Sequence, residues 1–253
     1  EVARLYRRRE EWEQDRNALL AEAVAASDMP QRPGSSYLHA FARPVALDQG
    51  MWERAAAKLG NRQAIHQALL NAANATKLAA TGYGPSLRSA SYWERKGADE
   101  WRLATRDEAE RAKPNDITNL VELRMNIDGR GHLFCGRATD SHSESPLPLI
   151  IEVVIAGNLE AFFALMSVFY EAAGYHGHVD VGVAITGLQG TVSYKAGRYG
   201  HGTSVPYSAP TFTRTERIAA VQLEEPDEVA HGLLRHFYEA TSGIDGYNPF
   251  TET

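Results

Sequence analysis

Leu149-Ile-Ile-Glu-Val-Val-Ile-Ala156, followed by Gly157-Asn158 and then by Leu159-Glu-Ala-Phe-Phe-Ala-Leu-Met-Ser-Val-Phe-Tyr-Glu-Ala-Ala173, is the stretch whose reading decides the fold. Residues 149–156 are apolar on both faces except at Glu152, the pattern of a central strand. Gly157-Asn158 then supplies a turn and an N-cap, and Glu160 falls in a first helical turn, where a carboxylate favours the helix dipole. Leu159, Phe162, Phe163, Met166, Phe169 and Tyr170 follow the spacing of a deeply buried helical face, and Gly174 ends the helix. Beyond it Val179, Val181, Val183 and Ile185 alternate, so 179–186 is a strand with one buried face. Its other face carries His178, Asp180, Gly182, Ala184 and Thr186, and the two small residues suggest close approach by another element.

Working upstream, Asp128-Gly129 between alternating runs at 120–127 and 132–138 is a hairpin signal, and 87–95 and 100–105 repeat the design around Lys96–Asp99. Earlier still come a strand at 37–45, a helix at 49–59 with Asp48 as N-cap, and a second helix at 62–76 after Gly60-Asn61. Downstream, 190–195 reads as a partner strand, 197–210 as a long loop, 211–223 as a strand, and 226–240 as a helix opened by Pro226. At the start, Val2, Leu5, Tyr6, Trp12, Leu19 and Leu20 form the apolar stripe of a charged amphipathic helix, which Met29-Pro-Gln-Arg-Pro-Gly34 ends. That stripe must meet another surface. The chain opens inside this helix without Met and so reads as a fragment. The expected organisation is a linker helix at 1–28, a single α+β (mixed α/β) domain at 35–243 with an antiparallel-rich sheet packed with helices, and an irregular tail at 244–253.

Composition narrows the function classes. With 253 residues, 43% hydrophobic and 23% charged, disordered, collagen-like and disulfide-scaffold classes are excluded. A net charge of −6 argues against a generally basic nucleic-acid surface, and Glu1, Glu10, Glu11, Glu13 and Asp15 nearly cancel the Arg7-Arg8-Arg9 run. The single cysteine, Cys135, forbids an internal disulfide and fits a reducing, cytoplasmic setting. The most apolar stretch, 147–170, is broken by Pro148, Glu152, Gly157, Asn158 and Glu160, which counts against a membrane span.

Phosphate-loop, dinucleotide, nucleophile-elbow and zincin motifs are absent. In Tyr175-His-Gly-His-Val-Asp180, alternate residues share one face, so His176, His178 and Asp180 form a candidate metal set for zinc or another divalent ion in a hydrolase or nuclease. The same row arises equally from the second face of a sheet, with no cofactor. In Lys195–Ser204, glycines free backbone amides to face a ligand, and Arg198, Tyr199, His201, Thr203 and Ser204, with Tyr175, are the ligand-binding candidates. A Phe- and Tyr-rich pocket between helix 159–173 and the sheet is a further possibility. No residue is assigned a catalytic role, and Asp140–Ser145 reads as a polar connection.

Glu1-Val-Ala-Arg-Leu-Tyr-Arg-Arg-Arg-Glu10, Tyr37-Leu-His-Ala-Phe-Ala-Arg-Pro-Val45, Gly174–Leu188 and Thr211-Phe-Thr-Arg-Thr-Glu-Arg-Ile218 together resemble the C-terminal region of actinobacterial proteins that carry a Schlafen AlbA-type domain. The AlbA-type domain, associated with DNA or divergent ATP binding, is itself not in this sequence, and no catalytic residue transfers with the likeness. The resemblance implies only a context, a cytoplasmic protein with a nucleic-acid- or nucleotide-binding domain elsewhere; the fragment-like start, the uncovered amphipathic helix and the absence of a complete catalytic motif point to a non-catalytic sensory, oligomerisation or partner-binding module of a larger regulatory or defence protein. Its expected partners are another copy of itself or an N-terminal domain of the same longer chain, with nucleic acid bound only through that domain and no membrane contact.

Overall fold

In the computed structural model, which describes residues 10–11, 14–21, 24–25, 35–78, 84–96, 99–105, 119–141, 147–195, 206–242 and 248–251, Leu149–Ala156 is not a central strand. Only Leu149–Ile150 is extended (β7); from Glu152 the chain is helical without interruption to Ala173 (α3), straight through Gly157-Asn158. The reason lies in what surrounds it. A helix buried on every side is apolar at every position, just as a strand buried on two faces is, so local pattern does not separate them. Asn158, expected to cap, instead sits fully buried inside α3. Its amide donates to the Val154 and Pro85 carbonyls (both 2.9 Å) and accepts from the Leu87 N–H at 2.8 Å. Glu160 is likewise interior: its carboxylate accepts the backbone N–H groups of Lys77 and Leu78 at 2.7 and 2.9 Å. Gly174, at φ 68°, does end the helix. Among the described residues α3 is the one helix long and apolar enough to cross a membrane, and 78% of its apolar window is buried within the protein.

Around α3 the other elements fall close to their expected places. β1 (Tyr37–Pro44) leads into α1 (Met51–Leu59) and α2 (Arg62–Asn74). Asn61 caps α2, accepting from Ala64 N–H at 3.0 Å, whereas Asp48 lies ahead of α1 in a turn that accepts from Gly50 N–H at 2.8 Å. The expected strand at 87–95 is divided: Leu87–Ser89 is a short 3-10 turn, docked by Asn158, and β2 begins at Tyr92 (Tyr92–Lys96). β3 (Glu100–Ala104), β4 (Val121–Asn126) and β5 (Gly131–Cys135) continue the meander, the last pair through the Asp128-Gly129 turn with Gly129 at φ 87°. After β6 (Thr139–Asp140), β7 and α3 come β8 (His178–Thr186), β9 (Val192–Ser193), β10 (Thr211–Ala219) and α4 (Pro226–Ser242). The predicted strand at 211–223 stops at Ala219 and gives way to a 3-10 turn over Ala220–Glu224. In the tail, Phe250 is buried in the core cluster rather than loose.

The long strands form one seven-stranded antiparallel sheet in the order β10-β8-β1-β5-β4-β3-β2. β7 joins β6 and, in parallel, β9 in a small second sheet. This is the α+β class expected. α3 packs on α1, α2 and α4 and fills the layer between them and the sheet. Phe162, Phe163, Met166, Phe169 and Tyr170 are at most 1% exposed, and Met166 lies so close to Gly131 that any Cβ there would clash. The expected aromatic pocket beside α3 is therefore occupied by the helix's own side chains.

Candidate anion site on the outer face of the sheet

The face of the sheet turned away from the helices carries Tyr37, His39, Phe41 and Arg43 on β1, His132 and Phe134 on β5, and Glu122, Arg124 and Asn126 on β4. Strict alternation puts them there, because Leu38, Ala40, Leu123, Met125 and Leu133 claim the core side. Much of this polar face is buried: His39, Arg102 and Glu122 are each 1% exposed. An ion ladder runs across it, Glu94 to Arg102, Arg102 Nε to Glu122 Oε2 at 2.9 Å, and Glu122 to Arg124. Beside the ladder the His39 and His132 rings stack with centroids 5.9 Å apart, and Phe134 meets His39 edge-on.

Part of the cover is the N-terminal helical segment. Residues 14–21 are helical, Leu20 is 2% exposed, and it packs with Phe41 and Ala184, flanked by Leu19 and Val24. Of the apolar stripe seen in the sequence, Leu19 and Leu20 meet the sheet, while Val2, Leu5, Tyr6, Trp12 and the expected helix end at Met29–Gly34 lie outside the described residues. Gly182, directly opposite Phe41 on β8, makes room: a Cβ at that position would lie 2.3 Å from the Phe41 ring. Close approach at Gly182 and Ala184 is what their size had suggested.

Where Leu19 meets β1, β4 and β5, a cavity of about 140 Å³ remains, and Arg43, Arg124, Arg130, His132, Asn126 and Glu100 supply its polar lining. Pockets for drug-sized ligands run to roughly 300–1,000 Å³, so this one is the size for a single small group. Arg130 is tied to Asp128 at 2.9 Å and Arg124 to Glu122, while the carboxylate opposite Arg43, that of Asp180, is held in a two-pronged contact by Arg217 at 2.7 and 2.8 Å. Arg43 therefore stands beside a carboxylate already engaged by Arg217, in a lining whose own carboxylate is that of Glu100. His132 Nε2 is buried with no hydrogen-bond partner, and so are both ring nitrogens of His39 behind it. Burial lowers the His132 pKa to about 3, with the His39 and Arg124 charges adding to the effect, and burial lowers His39 to about 4. Both rings are neutral at physiological pH, which makes His132 a neutral hydrogen-bonding group and leaves cationic recognition to the guanidinium groups. Among the described residues the lining contains no hydroxyl or thiol nucleophile.

The sites expected from the sequence are distributed differently. His176 and His178 are exposed, and Asp180 is 5% exposed and engaged by Arg217, so the three do not gather. Among the described residues no group of three His, Cys, Asp or Glu side chains is placed to hold a metal ion. Tyr175 is half-buried, its hydroxyl donating to the His178 carbonyl at 2.6 Å. Arg198, Tyr199, His201, Thr203 and Ser204 lie outside the described residues. Just before them, Ser193 donates to Glu152, whose carboxyl burial pushes up to about 7. Glu152 is 3% exposed and Ser193 fully buried, so this pair serves the junction of β9 with α3. Sequence reasoning passed over Arg43, Arg124, Arg130 and His132 because they are scattered over 90 positions; the available signal was Glu122, Arg124 and Asn126 at period two, a polar row facing away from the core.

Fold and face together define an α+β protein with a small polar cavity bordered by Leu19 of its own N-terminal helical segment. No family model matches this chain, and comparison with curated proteins and with solved structures likewise finds no match.

Proposed function

We propose that the chain is a non-catalytic sensory module that takes a small anionic group, of the phosphate or carboxylate class, in the cavity between the N-terminal helical segment and the outer face of the sheet. The observation that carries this reading is the convergence of Arg43, Arg124, Arg130 and the buried His132 Nε2 on one small cavity, three guanidinium groups against the one carboxylate of Glu100 among the described lining residues. Planar guanidinium groups match oxyanions with paired donors, and burial strengthens each contact. Sensing follows from position: Leu19 belongs to the helical segment that the ligand would touch, so occupancy bears directly on how tightly that segment is held. The likeness to the partner region of Schlafen AlbA-type proteins supports a cytoplasmic regulatory or defence context, with the helix as the route by which the signal leaves the module.

Thermal unfolding in inorganic phosphate, against chloride at matched ionic strength, tests it. Phosphate at 100 times its dissociation constant stabilises by about 2.7 kcal/mol, a rise of several degrees for a chain of this size. Arg43→Gln is expected to abolish that rise while leaving the melting temperature in chloride within about a degree. No phosphate-specific rise in the parent protein, for phosphate, pyrophosphate and citrate alike, counts decisively against the site.

A further inference from the structure

Among the described residues β10 ends the sheet on one side, pairing with β8 alone. At its two ends the Pro210 carbonyl accepts from Leu188 N–H and the Ala220 N–H donates to Gly177, so even-numbered residues turn their peptide groups toward β8. The register is unbroken from Thr211 to Ala219, and the alternation therefore directs the N–H and C=O groups of Thr211, Thr213 and Thr215 outward. Thr211, Thr213, Arg214 and Glu216 are exposed, so this edge is long and accessible. Open edges of this length are templates for strand addition, and charged residues on them ordinarily discourage it.

Here the charges do the reverse. We infer that the β10 edge is a docking surface for β10 of a second copy of this chain, paired antiparallel about a twofold axis at Thr215. In Thr211-Phe-Thr-Arg-Thr-Glu-Arg-Ile-Ala219, that register sets Arg214 opposite Glu216 of the second copy, twice, and Phe212 opposite Ile218, twice. These are the closely spaced pairs of an antiparallel ladder, where cross-strand side chains interact most. Thr215, whose peptide groups face outward, forms the central hydrogen-bonded pair with itself. A shift of the twofold centre to residue 214 sets Arg214 against Arg214, and a shift to residue 216 sets Glu216 against Glu216, so charge selects one register among its neighbours. The axis is perpendicular to the sheet, which keeps both α4 helices on one side and both N-terminal helical segments on the other. The groove of about 820 Å³ that runs between that segment and Thr211 and Thr213 then opens onto the second copy.

Light scattering on size-separated protein tests this with the full chain. The parent protein is expected to be a dimer. R214E and E216R each place like charges face to face at two positions, and each is expected to weaken dimerisation on the order of tenfold or more. Mixed one to one, the two variants are complementary at both charge pairs, so a heterodimer of R214E with E216R is expected to form, and R214E/E216R is expected to restore the homodimer. Far-ultraviolet circular dichroism confirms that each variant is folded. A monomeric parent protein at the highest attainable concentration overturns the inference, and so does a dimer that neither reversal weakens or a mixture that stays monomeric.

Discussion

Asn158 is a single amide that decides the course of a helix. Fully buried in the most apolar element, it satisfies Pro85, Leu87 and Val154, and so fastens the segment before β2 onto α3. Asn158→Leu keeps the branched heavy-atom shape and leaves the Leu87 N–H and Pro85 carbonyl unpaired; the expected loss is about 2–3 kcal/mol, read as a lower urea midpoint with unchanged slope. Glu152 is a second residue-scale control. Its folded pKa of about 7 lies above the ordinary carboxylate value, so the folded state holds a proton that the unfolded state releases. Its contribution is fully present below pH 4.5 and is lost as pH rises to 7, about 3 kcal/mol across the window. Glu152→Gln removes that loss, and its melting temperature is expected to exceed that of the parent at pH 8 and to match it near pH 4.5. His39 and His132 act with the opposite sign. Their folded values of about 4 and about 3 lie below 6.5, so stability is present above pH 6.5 and falls as pH drops through the folded values. Replacing both by Phe is expected to flatten the acid limb of stability against pH.

At the scale of elements, the N-terminal helical segment is attached through Leu19, Leu20 and Val24 against Phe41 and Ala184, with Asn17 accepting from the Thr215 hydroxyl at 3.5 Å. Leu20→Asp is expected to free it, seen as faster amide exchange confined to the described helical residues and their neighbours, with loss of the phosphate response and little change in the exchange of α3. Gly182→Val drives a side chain into Phe41 and is expected to have the same effect at a cost of about 1–3 kcal/mol. The elements legible in the sequence were those with a one-sided environment. β1, β4, β5 and β8 alternate because one face meets the helices, and α1 and α2 are amphipathic for the same reason. Residues 149–156 were misread because burial on all sides erases the period, and Gly157-Asn158, a turn signal almost anywhere, is here absorbed into α3 by contacts from residues more than 70 positions away.

Taken whole, the molecule has a helix-covered face that makes the core and a polar face that makes the cavity, with β10 closing one side. Pairing of two such molecules links stability to concentration: the melting temperature of the parent is expected to rise with chain concentration, and that of R214E to be independent of it over the range where it is monomeric.

The α+β class, the antiparallel meander and the alternation that divides each strand into core and outer residues were legible in the sequence, because these depend on local period and turn chemistry. The symmetric spacing of Phe212, Arg214, Glu216 and Ile218 was also there to be read, but its meaning required knowing that β10 is an edge. Only the tertiary structure decided that β1 lies between β5 and β8, which brings Arg43 beside Arg124, Arg130 and His132. It also engaged Asp180 with Arg217 and buried residues 154–163 of α3 on every side. Strand order and helix burial are set by the packing of the whole chain, and no local window contains that information.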